Sequence, residues 1–202
     1  MADPVRGAAS PPPWWAADPS RPLQTTGGSK PVDEVTAVDV LVDGFGRVRG
    51  SVERVLDGLA PQQLAHRVGG TANSIAWLVW HLTRVQDDHV AEVAGAEQVW
   101  TAGGWAGRFD LPLPTRDTGY GHGGEDVAAV DATADLLLGY HRAVHERTEA
   151  YVRGLGARDL TRVVDESWDP PVTLAVRLLS VVEDDLQHVG QAAFARGLLP
   201  GR

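Results

Sequence analysis

Residues 170–198, "PPVTLAVRLLSVVEDDLQHVGQAAFARGL", decide how the chain is read. The Pro170-Pro171 pair suits the lead-in to a helix, and Gly197 suits its end. Between them Leu174, Leu178, Val181 and Ala192 recur at helical spacing and form one apolar stripe. The stripe passes through or beside Asp184, Asp185 and His188. An unpartnered carboxylate in such a stripe is costly, so the face calls for a cation, a hydrogen-bond network or a metal. Asp184 and His188 are four apart, which puts them together on one helix face. Two metal ligands from one helix need that spacing. Glu183 is expected to point outward.

Three earlier stretches carry the same period. "VDEVTAVDVLVDGFGRVRGSVERVLDGL" (32–59), "TANSIAWLVWHLTRVQDDHVAEVAG" (71–95) and "DATADLLLGYHRAVHERTEAYVRGL" (131–155) each read as one amphipathic helix. Asn73 or Ser74 caps the second, and Asp131 or Thr133 the third. No stretch alternates over a useful length, so no strand is expected. The second and third helices are separated by a long segment containing "WTAGGWAGRFDLPLPTRDTGYGHGGED" (100–126). A connection of that length can cross the end of a bundle, whereas a short one forces antiparallel neighbours. The expectation is an all-α four-helix bundle with one long crossover between helices 2 and 3, spanning residues 34–202. Residues 1–33, rich in Pro, Gly, Ser and Ala, read as an extended or disordered arm. Trp14 and Trp15 in that arm either dock on the domain surface or make a homodimer contact.

Composition narrows the chemistry. The 202-residue chain has no cysteine, which excludes disulfides, thiolate metal sites and a cysteine nucleophile. Its net charge of -9, with arginines scattered singly and Lys30 the sole lysine, offers no basic patch for nucleic acid. The N-terminus has no apolar signal region and no stretch reaches transmembrane length, so a soluble cytoplasmic protein without membrane contact is expected.

Helix 2 supplies what the last helix lacks. His81 sits in an apolar run with Trp77, Leu78, Trp80 and Leu82, and Asp88 follows seven residues later on roughly the same face, with His89 beside it. A histidine on one helix and an Asp-His pair on another are the parts of a site between facing helices. Three protein ligands with an open position is the arrangement of a catalytic divalent metal, most often zinc. The alternative is that His81 bonds a carboxylate across the bundle while Asp87, Asp88 and Asp185 are solvated. His141 and His145 also have ligand spacing, but their Arg-rich surroundings favour a solvated face, with Glu146 and Glu149 pairing Arg142 and Arg153.

The chain resembles the DinB-like superfamily of metal-binding four-helix bundles, which includes low-molecular-weight-thiol S-transferases and mycothiol-dependent maleylpyruvate isomerase. The resemblance rests on "WLVWHLTRVQDDH", on "DLQHVGQAAFARGLL" and on the long segment between helices 2 and 3, over roughly residues 34–199. It implies that His81, Asp184 and His188 hold a divalent metal, zinc or alternatively nickel, with Gly190 and Gln191 in the family's register. The family's first last-helix ligand is His or Glu; here it is Asp. The implied activity is transfer of a small thiol, mycothiol given the GC-rich composition, to an electrophile. Asp88 or Asp185 would orient a ligand histidine or accept a proton. The crossover would roof the pocket, with Trp100, Trp105, Phe109 and Tyr120 lining an electrophile site, and Trp105 and Tyr120 binding the co-substrate. Gly119, Gly121, Gly123 and Gly124 suggest a mobile roof, and His122 among them reads as a solvated loop histidine, the alternatives being a fourth ligand or a polar contact. Arg108 and Arg116 read as surface groups. The alternatives are a metal-dependent hydrolase, or a non-enzymatic, stress-related bundle acting as a homodimer.

Overall fold

The computed structural model describes residues 35–199, so the expectations for Trp14, Trp15 and the arm lie outside the described residues. Four long helices carry the fold: α1 (Ala37–Leu56), α3 (Ile75–Ala94), α7 (Ala134–Arg153) and α8 (Leu174–Gly197). Between α1 and α3 lies the short α2 (Pro61–Leu64); between α3 and α7 lie α4 (Val99–Ala102), α5 (Trp105–Phe109) and α6 (Gly124–Ala129). Each long helix opens on a hydroxyl that accepts a backbone N–H: Thr36, Ser74, Thr133 and Thr173. These bonds satisfy donors that the first helical turn leaves orphaned. Gly95, at φ 62°, closes α3 in the left-handed conformation that glycine adopts freely.

Around the bundle the order is α1, α8, α3, α7 and back to α1. Arg196, late in α8, donates to the carbonyls of Arg54 and Val55, late in α1, so these neighbours run parallel. Thr83 meets His141, and Tyr151 donates to the Val93 carbonyl, so α3 and α7 also run parallel. The long crossover makes that parallel pairing possible. The core has two clusters, one around Val48, Val52, Trp80, Leu82 and Leu137, the other around Phe45, Val90, Val152 and Leu178. Fully burying such an aliphatic or aromatic side chain stabilises by about 1.5–3 kcal/mol.

The structure departs from the sequence reading, or from the alternative it left open, at several places. A two-stranded antiparallel hairpin, β1 (Val163–Asp165) with β2 (Val172–Thr173), leads into α8; Trp168 to Pro171 belong to its tip. Strands of two or three residues are too short to show alternation. His141 and His145 are buried, because i and i+4 place both on the inner face of α7 whatever the polarity of Arg142 and Glu146 between them. Asp87 is buried too, accepting from the Val99 and Trp100 amides (2.8 and 2.7 Å) and the Tyr140 hydroxyl (2.8 Å). Asp185 is fully buried. On the surface Arg153 pairs Glu149 as expected, while Arg142 reaches across to Glu53 of α1. No described helix is long and apolar enough to cross a membrane.

Candidate metal centre

α3 and α8 pack antiparallel, and their seam brings His81, Asp184 and His188 together. Each offers a ligand atom, and these atoms all lie within 4.8 Å of one another. Among the described residues this is the only group of three or more acidic or histidine side chains so placed. The i, i+4 spacing aligns Asp184 and His188 on α8, with His188 Nε2 3.5 Å from Asp184 Oδ1. The His81 and His188 rings meet edge to face, centroids 4.6 Å apart.

His81 is held from both sides. Its Nδ1 lies 2.5 Å from the Thr118 carbonyl, which can only accept, so Nδ1 carries the proton and Nε2 keeps its lone pair. Fixing a ring through its second nitrogen is how ligand histidines are oriented. The Trp77 ring stacks on the imidazole at 4.6 Å and 14°. Burial is the main influence on His81 and lowers its pKa, although the Thr118 carbonyl opposes it, so the ring is neutral and able to ligate. Hydrogen bonding to Asp184 raises the His188 pKa against burial. Burial pushes Asp184 up, but the two histidines outweigh it and hold the carboxyl below the usual range. Asp184 Oδ2 and His188 Nδ1 are buried with no hydrogen-bond partner. Buried polar atoms without a partner are expensive, and a cation between the two side chains would relieve the carboxylate oxygen directly. The donor set, two imidazoles and a carboxylate, suits zinc or nickel better than magnesium or calcium.

The crossover is fastened over this group. Arg84, fully buried, donates from Nε to the Asp117 carbonyl (3.1 Å) and from Nη1 to Tyr140 (3.2 Å), and lies 3.6 Å from Asp87. Trp100 Nε1 donates to the Thr115 carbonyl at 2.9 Å. Trp77 Nε1 donates to His122 Nδ1 at 3.0 Å, so His122 donates from Nε2 to Asp117 Oδ2 at 2.9 Å. His122 is therefore an anchored residue of the roof, its side chain 6% exposed, and not a solvated loop histidine. Gly119 is buried, at φ 95°; a Cβ there would sit 2.7 Å from His81 Nδ1 and 3.1 Å from the Trp77 ring. Its lack of a side chain serves close approach, where the sequence suggested mobility.

The other expected site residues lie elsewhere. Asp88 accepts from Gln98 at 2.6 Å and bonds neither ligand histidine. Asp185 has no hydrogen-bond partner on either oxygen, and burial, reinforced by the Asp184 charge, raises its carboxyl pKa well above the usual range. It hydrogen-bonds neither ligand histidine among the described residues. Trp105 packs on Tyr140, centroids 5.7 Å apart, under the Arg108 guanidinium, away from the triad. Tyr120 is 94% exposed beside Gly119. Thr118, Asp117 and Arg84 escaped the sequence reading because their contacts to the site cross more than thirty residues of chain.

A model of the mycothiol-S-transferase family matches residues 40–201. No curated protein matches the chain. A solved structure described as the conserved protein of a locus from Enterococcus faecalis superposes with a TM-score of 0.78 at 28% identity. It covers 84% of this chain and 100% of its own. The match over residues 40–201 takes in all three residues of the triad, on the all-α DinB-like fold: the chain belongs to the mycothiol-S-transferase family.

Proposed function

We propose that the protein is a divalent-metal-dependent transferase that joins a low-molecular-weight thiol, mycothiol, to an electrophile. The observation that carries this reading is the convergence of His81, Asp184 and His188 within 4.8 Å, with a buried polar atom on Asp184 and one on His188 that no hydrogen bond satisfies among the described residues. A divalent cation held there, zinc first and nickel second, would lower the pKa of a thiol enough to make it a nucleophile at neutral pH.

The chain's own groups do the rest. Thr118 and Trp77 fix the His81 ring, so its ligand atom is set before anything binds. Gly119 and the anchored roof exclude water from that side of the triad. Asp184, less buried than His81, leaves the α8 side open for the approach of substrates. In the transfer a carbon–sulfur bond forms, the electrophile's leaving group departs with its bonding pair, and the thiol proton passes to solvent. No redox change occurs.

The test is metal content beside thiol-dependent turnover. Untagged protein should hold about one zinc or nickel per chain, and the Asp184→Ala, His188→Ala double variant should hold none. Wild type should then consume an electrophile only when thiol is supplied. Turnover without thiol would instead indicate a hydrolase. A wild type that neither retains nor takes up metal removes this reading.

A further inference from the structure

Gly190 and Gln191 follow the ligand pair directly, and the metal reading gives them no task. Gly190 lies in the interior of α8, where glycine is a poor choice. Nothing in its surroundings requires it: an added Cβ would meet no atom within 4 Å. Gly190, exposed on α8, lines the edge of a surface hollow of about 440 Å³ on the α3 side of the helix. Leu78, Val68, Phe194 and Ala195 supply the apolar wall, Asn73 and Gln191 the polar groups, and among the described residues no charged side chain lines it. Phe194 borders this hollow and is 69% exposed.

The hollow lies along the α3–α8 seam about one helical turn from the triad, none of whose residues lines it. Gln191 lies three residues from His188 on the same face of α8. Leu78 lies one turn before His81. The opposite end of the α3–α8 seam is charged: Arg177 there donates to Glu92 and Asp165 at 3.0 and 3.1 Å and contacts His89. One end of the seam therefore suits a polar molecule and the other an apolar one.

We infer that the hollow over Gly190 is the electrophile subsite, and that it takes an uncharged, apolar or aromatic electrophile whose body lies against Gly190 and Phe194 while Gln191 and Asn73 bond its polar edge. The inference rests on the transferase reading for its placement beside the nucleophile. Glycine is then required at 190 because a side chain would occupy the ligand's place. Pre-formed hollows lined by apolar groups with a few polar ones are the usual form of small-molecule sites.

Two probes separate this inference from the transferase reading. The first is 1,3-dinitrobenzene, an unreactive aromatic, with binding followed by quenching of tryptophan fluorescence in metal-loaded protein. Gly190→Leu should weaken it about tenfold or more while metal content and helicity stay unchanged. Gly46→Leu, which also adds a side chain to open space on a helix but far from the seam, should bind as wild type does. The second is 1-chloro-2,4-dinitrobenzene with thiol: Gly190→Leu should raise KM for the electrophile and leave KM for the thiol unchanged. Equal binding of dinitrobenzene by wild type and Gly190→Leu, or no binding by wild type, overturns the subsite. Binding that depends on Gly190 in a protein without thiol turnover keeps the subsite and removes the transferase reading.

Discussion

At the scale of single residues, the least replaceable atom near the triad is a hydrogen. Gly119 combines a left-handed backbone with a place where an added Cβ would sit 2.7 Å from His81 Nδ1, so any side chain there is strained twice. Gly119→Ala should cost about 1–3 kcal/mol and move the Thr118 carbonyl off His81. Metal affinity should fall while far-UV circular dichroism stays native; a variant that binds metal as wild type does would show the roof to be dispensable. His141 tests a different point. It is fully buried, and burial, with the His145 and Arg49 charges adding, lowers its pKa to about 3. The unfolded chain binds a proton at that residue near pH 6.5. Stability gained by keeping the ring neutral is therefore complete above pH 6.5 and is lost as pH falls from there toward 3, by at most about 1.4 kcal/mol per pH unit. Asp185, with its pKa raised by burial, tilts the curve the other way. The useful quantity is thus the difference between wild type and His141→Leu in urea unfolding. Any advantage of wild type should shrink from pH 7 to pH 5, and a constant difference would mean that His141 is charged in the fold.

At the scale of elements, the crossover holds more of the site than its short helices suggest. Asp87 accepts three hydrogen bonds, two from the amides that begin α4, beside the buried Arg84 guanidinium. Removing one partner of a buried ion pair strands the other, at about 3–5 kcal/mol. Asp87→Ala should lower the melting temperature by that energy and loosen residues 115–122, with faster hydrogen exchange there than in α1. If exchange in the roof is unchanged, the anchor lies elsewhere.

The long helices were legible in the sequence because caps and apolar period are local: Ser74, Thr133 and Gly95 end helices where the pattern says. Asp184 and His188 were legible for the same reason, being neighbours on one helix. His122 was misread because its neighbours in the chain are glycines, whereas its partners Trp77 and Asp117 come from a folded contact. His141 and His145 were misread from the charges between them, although helical geometry separates adjacent residues by about 100°. The hairpin before α8 was too short to carry a pattern.

At the scale of the molecule, the parallel α3–α7 pair and the antiparallel α3–α8 seam place the triad across two helices distant in sequence. A bound cation stabilises the folded chain alone, by about 2.7 kcal/mol when free metal is a hundredfold above Kd. Chelation should therefore lower the melting temperature by roughly 5–10 °C, and the double ligand variant should melt alike with and without chelator. An identical loss in that variant would point to metal bound elsewhere.

The separation of the ligands has a consequence for the unfolded chain as well. His81 and Asp184 lie about a hundred residues apart, so a cation gripping both closes a very large loop. It would act as a cross-link between distant parts of the chain, the role a disulfide plays in secreted proteins. In a chain without cysteine that link would be reversible, made and broken by the supply of metal.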